Sequence, residues 1–234
     1  MEARSPAALL MLADGRLPTG GHAHSGGLEE AVMRGAVTDG HTLESWLTGR
    51  LRTTGRVDAA FAAAAAREAH RRGPTGECRW ALLHAELAAR LPSAATRRAN
   101  LAQGRGLLRA AATAWPAPWI PELREAMPGG TLWPVALGAV AAAAGLTPAE
   151  AALLAASSAV QGPAWAATRL LGLDPFDVAG ALARLAEAVD AVALDAVDPA
   201  HCSSDWTHLP GLAAPLTDIG AERHATWEVR LFAS

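Results

Sequence analysis

Two short stretches hold the side chains best suited to chemistry. In LPTGGHAHSGGLEE, Leu17 to Glu30, His22 and His24 stand two apart among four glycines, followed by Ser25, Glu29 and Glu30. In HCSSDWTH, His201, Cys202, Asp205 and His208 fall within eight residues. Imidazole and thiolate groups suit nickel, zinc or copper. Neither stretch has the paired spacing of a zinc finger or ribbon. Two readings stay open: a weak or transient metal contact, or loop histidines that face solvent or bond to backbone.

Other chemistries fit less well. A nucleophile elbow needs G-x-S-x-G on a strand-to-helix turn. Here Ala23-His24-Ser25-Gly26-Gly27 lacks the first glycine and no strand precedes it, so Ser25 reads as a helix N-cap. Gly20, Gly21, Gly26 and Gly27 could offer backbone N–H groups to an anion. However, all twenty basic residues are arginine and the chain has no lysine. That excludes a phosphate-loop lysine, a Schiff-base lysine and a pyridoxal phosphate anchor. Arg98, Arg105 and Arg109 share one helical face, either solvated or an interface. The net charge is −3 and no basic run stands out, so nucleic acid is not an expected partner.

The elements that must position these groups are helical. The chain has 234 residues, enough for one large domain, with 51% hydrophobic residues, dominated by alanine, the best helix former. Two cysteines, Cys78 and Cys202, are too few for a disulfide scaffold. The apolar stretch near the N-terminus is short and no convincing cleavage site follows, which favours a cytoplasmic protein. Thr131–Pro148 and Ala151–Thr168 lack charge, yet their glycine, proline and alanine fit buried core helices better than membrane spans.

Helix boundaries recur along the chain. Ser5-Pro6 starts a first helix and Gly15 ends it; Ser25 starts a second, closed by Gly35. Thr42 caps a third that runs to Gly55, and Asp58 a fourth that ends at Gly73. A fifth spans Cys78 to Arg90 and a sixth Ser93 to about Trp115. A short helix starts near Pro118 and another runs from Pro134 to Ala144. TPAE, Thr147 to Glu150, combines a cap, a first-turn proline and a capping-box glutamate. Its helix should kink or break at Gly162-Pro163. DPFD, Asp174 to Asp177, starts a last long helix that reaches about Val197. No segment alternates with a period of two. The expectation is an all-α, single-domain bundle of about eight to ten helices with no sheet. Residues 1–198 would form the helical domain and residues 199–234 a tail involved in partner binding.

LPTGGHAHSGGLE closely resembles the N-terminal motif of the urease accessory protein UreF family. QGRGLLR (Gln103 to Arg109), PVALGAVAAAAGLTPAEA (Pro134 to Ala151), AATRLLGL (Ala166 to Leu173) and the terminal RHATWEVRLFAS are similar to further family segments, in the same order. The sequence departs from the family pattern at His22, Trp133, Asp174-Pro175, Ala225 and Glu228. The resemblance implies an all-α, commonly homodimeric, non-catalytic protein that needs no cofactor. It also implies binding to a second accessory protein, UreD (also called UreH), recruitment of the GTPase UreG, and delivery of nickel into apo-urease. The motif residues that carry it are Pro18, Thr19, Gly20, Gly21, His24, Ser25, Gly27, Glu29, Arg169, His224, Arg230, Leu231, Phe232 and Ser234. The first of these read as turn architecture and interface, with His24 and Glu29 presenting polar contacts. Leu231 and Phe232 read as apolar anchors of a tail that orders fully only when a partner covers it. A second reading is a metal-binding protein or metal-dependent enzyme built on the His and Cys clusters.

Overall fold

The computed structural model describes residues 6–71, 79–198 and 205–234. Among these residues there are twelve α-helices and no strand: α1 (Pro6–Ala13), α2 (Leu28–Met33), α3 (Gly40–Arg50), α4 (Arg56–Arg71), α5 (Trp80–Ala89), α6 (Ala94–Ala114), α7 (Trp119–Ala126), α8 (Trp133–Ala143), α9 (Pro148–Leu170), α10 (Pro175–Arg184), α11 (Ala186–Asp195) and α12 (Pro215–Ala225). The all-helical expectation holds; the count exceeds it, and the reasons are local.

The core is built on α4, which packs on α8 and α9. Val57 and the run Ala59 to Ala66 on α4 are buried, as are Pro134 to Ala142 on α8. Small side chains let these helices approach closely, and dense packing offsets the little area each alanine buries. At Gly138 on α8, an added Cβ would collide with the Ala62 carbonyl oxygen of α4. The uncharged stretches are therefore core helices, and no described helix is long and apolar enough to cross a membrane.

The capping signals read from sequence are mostly in place. Thr147 accepts from the Glu150 N–H, and Glu150 reaches back to the Thr147 N–H at 2.7 Å. Ser93 caps α6 through the Thr96 N–H, and Asp174 caps α10 through the Phe176 N–H. At α3 the cap is Asp39, with Thr42 as its reciprocal partner three residues on.

Four expectations are corrected. Gly55 does not end a helix and Asp58 does not cap one: α3 passes into α4 through a five-residue π-helical segment, Leu51–Gly55. Gly55 is buried there, and an added Cβ would meet Leu51 Cδ1 at 3.2 Å and Ala159 Cβ of α9 at 3.4 Å. Pro163 does not break α9, which is helical across it. The helix begun by Asp174 is divided by a turn at Leu185, a site with no glycine or proline to mark it. Finally, the segment after Pro199 contains α12, with Pro215 in its first turn, packed on α6 and α2. Cys78, His201 and Cys202 lie outside the described residues.

Candidate functional site

The two ends of the motif set meet. Residues 23–29 and 231–234 form one hydrogen-bonded clasp. The Ser25 N–H donates to the Ser234 carbonyl at 2.6 Å, and the Ala233 N–H donates to the Ala23 carbonyl at 2.7 Å. The Ser25 hydroxyl donates to the same Ser234 carbonyl at 2.8 Å and accepts from the Glu29 N–H at 3.2 Å. His24 Nδ1 lies 2.7 Å from Ser234 Oγ. Ser25 is thus not the N-cap of α2, a position held by Gly27, but its oxygen still satisfies a first-turn N–H of that helix. With its hydroxyl committed on both sides, and His24 bonded elsewhere, Ser25 is no activated nucleophile.

Glu29 is the centre of the clasp. It is only 5% exposed. One carboxylate oxygen accepts the Leu231 N–H at 2.8 Å; the other accepts the Phe232 N–H at 3.0 Å and His224 Nε2 at 2.8 Å. Burial pushes the carboxyl up, but the Leu231, His224 and Phe232 hydrogen bonds outweigh it and hold Glu29 below the ordinary carboxylate value. An ionised carboxylate only accepts, so His224 carries its proton on Nε2. The His224 ring also lies 4.8 Å from that of Trp227. Phe232 is buried under the Arg169 guanidinium, 5.0 Å from the ring centre. The structure therefore brings together His24, Ser25, Glu29, Arg169, His224, Leu231, Phe232 and Ser234.

The remaining motif residues shape the approach. Gly20 and Gly27 take φ of +80° and +92°, which only glycine adopts without strain. Gly21 opens a 3₁₀ turn through Ala23, and Pro18 is exposed just before it. Thr19 lies against α6: a Cβ on Gly106 would come 2.5 Å from the Thr19 carbonyl oxygen. A Cβ on Gly104 would collide with the Thr131 carbonyl oxygen. Of the two glycines of QGRGLLR, Gly106 thus seats the N-terminal turn on α6 and Gly104 the loop that leads into α8. The expectation of a tail that orders fully only under a partner divides between its two apolar anchors. Phe232 is already docked, whereas Val229, Arg230 and Leu231 are exposed.

A partly open cavity of about 400 Å³ lies beside the clasp, lined by His24, Arg50, Asp58, Arg98, Arg230 and Ser234 among others. Arg50 was not singled out from sequence, and Asp58 was read only as a helix cap. Arg50 Nε donates to the Ala159 carbonyl at 2.9 Å, and Nη1 donates to the Gly26 carbonyl at 2.8 Å. Ala159 is four residues before Pro163, so its carbonyl is the one that loses its helical donor to the proline. Arg50 supplies that missing donor and ties the same point of α9 to the motif loop. Burial pushes Asp58 up to about 7, opposed by the charge of Arg50. Burial, with His22 adding repulsion, holds His24 below the ordinary imidazole value. The proline was visible in the sequence; the partner of its freed carbonyl, on another helix, was not.

Among the described residues, the metal reading finds no support. His22 is exposed, and His208 lies 3.3 Å from Asp205 on the surface. Among the described residues, no group of three or more His, Cys, Asp or Glu is placed to hold a metal ion.

Fold and site together define an all-helical protein, built on α4, whose motif loop at residues 23–29 is clasped to residues 231–234. The chain belongs to the UreF family of urease accessory proteins, and it is an accessory protein rather than an enzyme. The UreF family model matches residues 37–186. A urease accessory protein UreF of Mycobacterium sp. (strain JLS) is 44% identical over 227 residues, covering 97% of each chain. That of Mycolicibacterium vanbaalenii is 42% identical over 231 residues, covering 98% of this chain and 99% of its own. That of Mycobacterium tuberculosis (strain H37Rv) is 42% identical over 220 residues, covering 94% of each.

Proposed function

We infer that this chain is a scaffold for nickel delivery. It binds a UreD/UreH-like accessory protein, recruits the UreG GTPase with it, and serves nickel insertion into apo-urease in the cytoplasm, as a homodimer and without a cofactor of its own. Nickel is cargo in this reading. The observation that carries it is the surface around the clasp. Leu216 and Ile219, three apart on α12, are 67% and 56% exposed, and Leu212 in the segment just before the helix is 40% exposed. Val229 and Leu231 of the tail are 87% and 59% exposed. An apolar set of this kind, borne on a segment fixed by buried hydrogen bonds, is the form of an interaction surface. The clasp holds these side chains in place before binding, which lowers the ordering cost of association.

The test is co-purification of the full-length chain with a UreD-like protein, then with UreG and apo-urease. Leu216→Asp with Ile219→Asp should fold normally, because both side chains are exposed, and should lose the UreD-like partner and urease activation. Removing residues 227–234 should have the same effect with some loss of stability. Full activation by the double variant would sink the proposed surface. Failure of the unaltered chain to bind any of the three partners would sink the functional reading. Light scattering that shows only monomer, with and without partner, would remove the homodimer. Tight stoichiometric nickel or zinc on the isolated chain would instead favour a metal carrier.

A further inference from the structure

A second cavity lies on another side of α6, between α6, α7 and the loop from Met127 to Thr131, with a volume of about 510 Å³. Arg105, Arg109 and Arg124 border it, and Glu125 is the only acidic residue among those that line it. Gly104 and Gly106, by their close contacts with Thr131 and Thr19, fix how α6 is rotated. That rotation leaves Arg105 and Arg109, one turn apart, exposed on the outer face of the helix. Arg105 is held in place: its Nη1 donates to the Gly129 carbonyl at 3.0 Å, and its side chain packs against Gly130, whose φ is +106°. Arg109 and Arg124 make no hydrogen bond or ion pair among the described residues. Thr131 lines the same cavity and is fully buried, and its hydroxyl has no hydrogen-bond partner.

We propose that this cavity is a binding site for a small phosphate-type oxyanion, held by Arg105, Arg109 and Arg124, with the Thr131 hydroxyl as a fourth donor. Guanidinium groups match tetrahedral oxyanions through forked, charge-assisted hydrogen bonds. Three of them in one cavity against a single carboxylate leave an excess of positive charge among the residues that line it. A surface of solvated arginines would not need a preset member such as Arg105, nor a buried hydroxyl left without a partner, which proteins seldom tolerate. The volume exceeds that of one phosphate, so the site admits a pyrophosphate or a phosphorylated small molecule as well.

The experiment titrates the full-length protein at low salt with inorganic phosphate and, separately, with pyrophosphate, by calorimetry and by amide chemical shifts. Saturable binding at one site per chain is expected, with shifts confined to residues around 105–109 and 124–131. Arg109→Ala with Arg124→Ala should weaken it by about tenfold or more. Arg52→Ala, an exposed arginine elsewhere, should leave it unchanged. Thr131→Val should leave the free protein as stable as before while weakening the anion. Tighter binding of pyrophosphate than of phosphate assigns the site to the larger class; equal binding assigns it to a single phosphate. No saturation up to about 10 mM, or equal weakening by Arg52→Ala, overturns the site. A marked loss of stability in Thr131→Val, with anion binding intact, removes Thr131 from it.

Discussion

Glu29 and His224 are 195 residues apart in the chain and 2.8 Å apart in the fold, both buried. The carboxylate that orients this histidine also accepts the two N–H groups that turn the tail inward. Glu29→Ala would leave three donors without an acceptor, two of them buried, at a cost of about 2–4 kcal/mol. The expected result is a lower melting temperature and fast hydrogen exchange at Leu231 and Phe232, with α4 and α9 still protected. Unchanged protection at those two amides would show that the tail is held by other contacts.

The same carboxyl sets an acid limit. Its folded value lies below the ordinary 4.5, so its contribution is fully present above that value and is lost as pH falls below it. Melting temperatures of the natural chain and of Glu29→Gln, compared between about pH 6 and pH 3, should converge toward the acid end. A constant gap would rule out this linkage.

Asp58 acts in the opposite sense. Its folded value, about 7, lies above the ordinary 3.8, so the folded protein binds the extra proton between those values and loses stability as pH rises through them. Asp58→Asn should therefore gain on the natural chain as pH is raised from about 4 to 8, by roughly 1 kcal/mol or more. Parallel unfolding curves across that range would contradict a desolvated, poorly compensated carboxyl at Asp58.

Glycines that look alike in sequence should respond differently. Gly106→Ala forces a Cβ onto the Thr19 carbonyl, and displacing the N-terminal turn should cost about 1–3 kcal/mol and loosen the clasp. Gly49→Ala on α3 meets nothing within 4 Å and should stabilise by about 0.5–1 kcal/mol. Denaturant unfolding of both variants reads the difference directly. A neutral Gly106→Ala would mean that the turn can move away without cost.

How much of this was legible depends on the range of the interaction. Capping is local, so Ser93, Thr147 and Asp174 were readable as helix starts from a few neighbouring residues. The residues of the clasp were readable through resemblance to a family, but their pairing was not. Nothing in the spacing of Ser25 and Ser234 says that one carbonyl receives two bonds from the other residue. Gly55 and Pro163 misled for a shared reason. Both have strong local tendencies to end a helix, and both are overridden where α9 meets the α3–α4 junction, by close packing at Gly55 and by Arg50 at the carbonyl that Pro163 frees. Sequence periodicity carries no signal for a donor that arrives from 109 residues away.

Arg50 and Pro163 should also be coupled energetically. Arg50→Ala leaves the Ala159 and Gly26 carbonyls short of a donor, at a cost of about 2–4 kcal/mol. With Pro163→Ala present, the residue 163 N–H can return to Ala159 and the same substitution should cost about 1 kcal/mol less, a coupling that a double-mutant cycle measures. Strict additivity would show that the freed carbonyl finds water instead.

That coupling has a historical side. A proline at position 163 is tolerated because an arginine already reaches Ala159, whereas an arginine at position 50 is useful without the proline, since it also holds the Gly26 carbonyl. Of the two mutational routes to the present pair, the one that acquires the arginine first never passes through a helix with an unmet carbonyl. The order of substitution is therefore constrained, and once both are in place the arginine is entrenched. In a descendant lineage, Arg50 should be lost only after Pro163 has reverted.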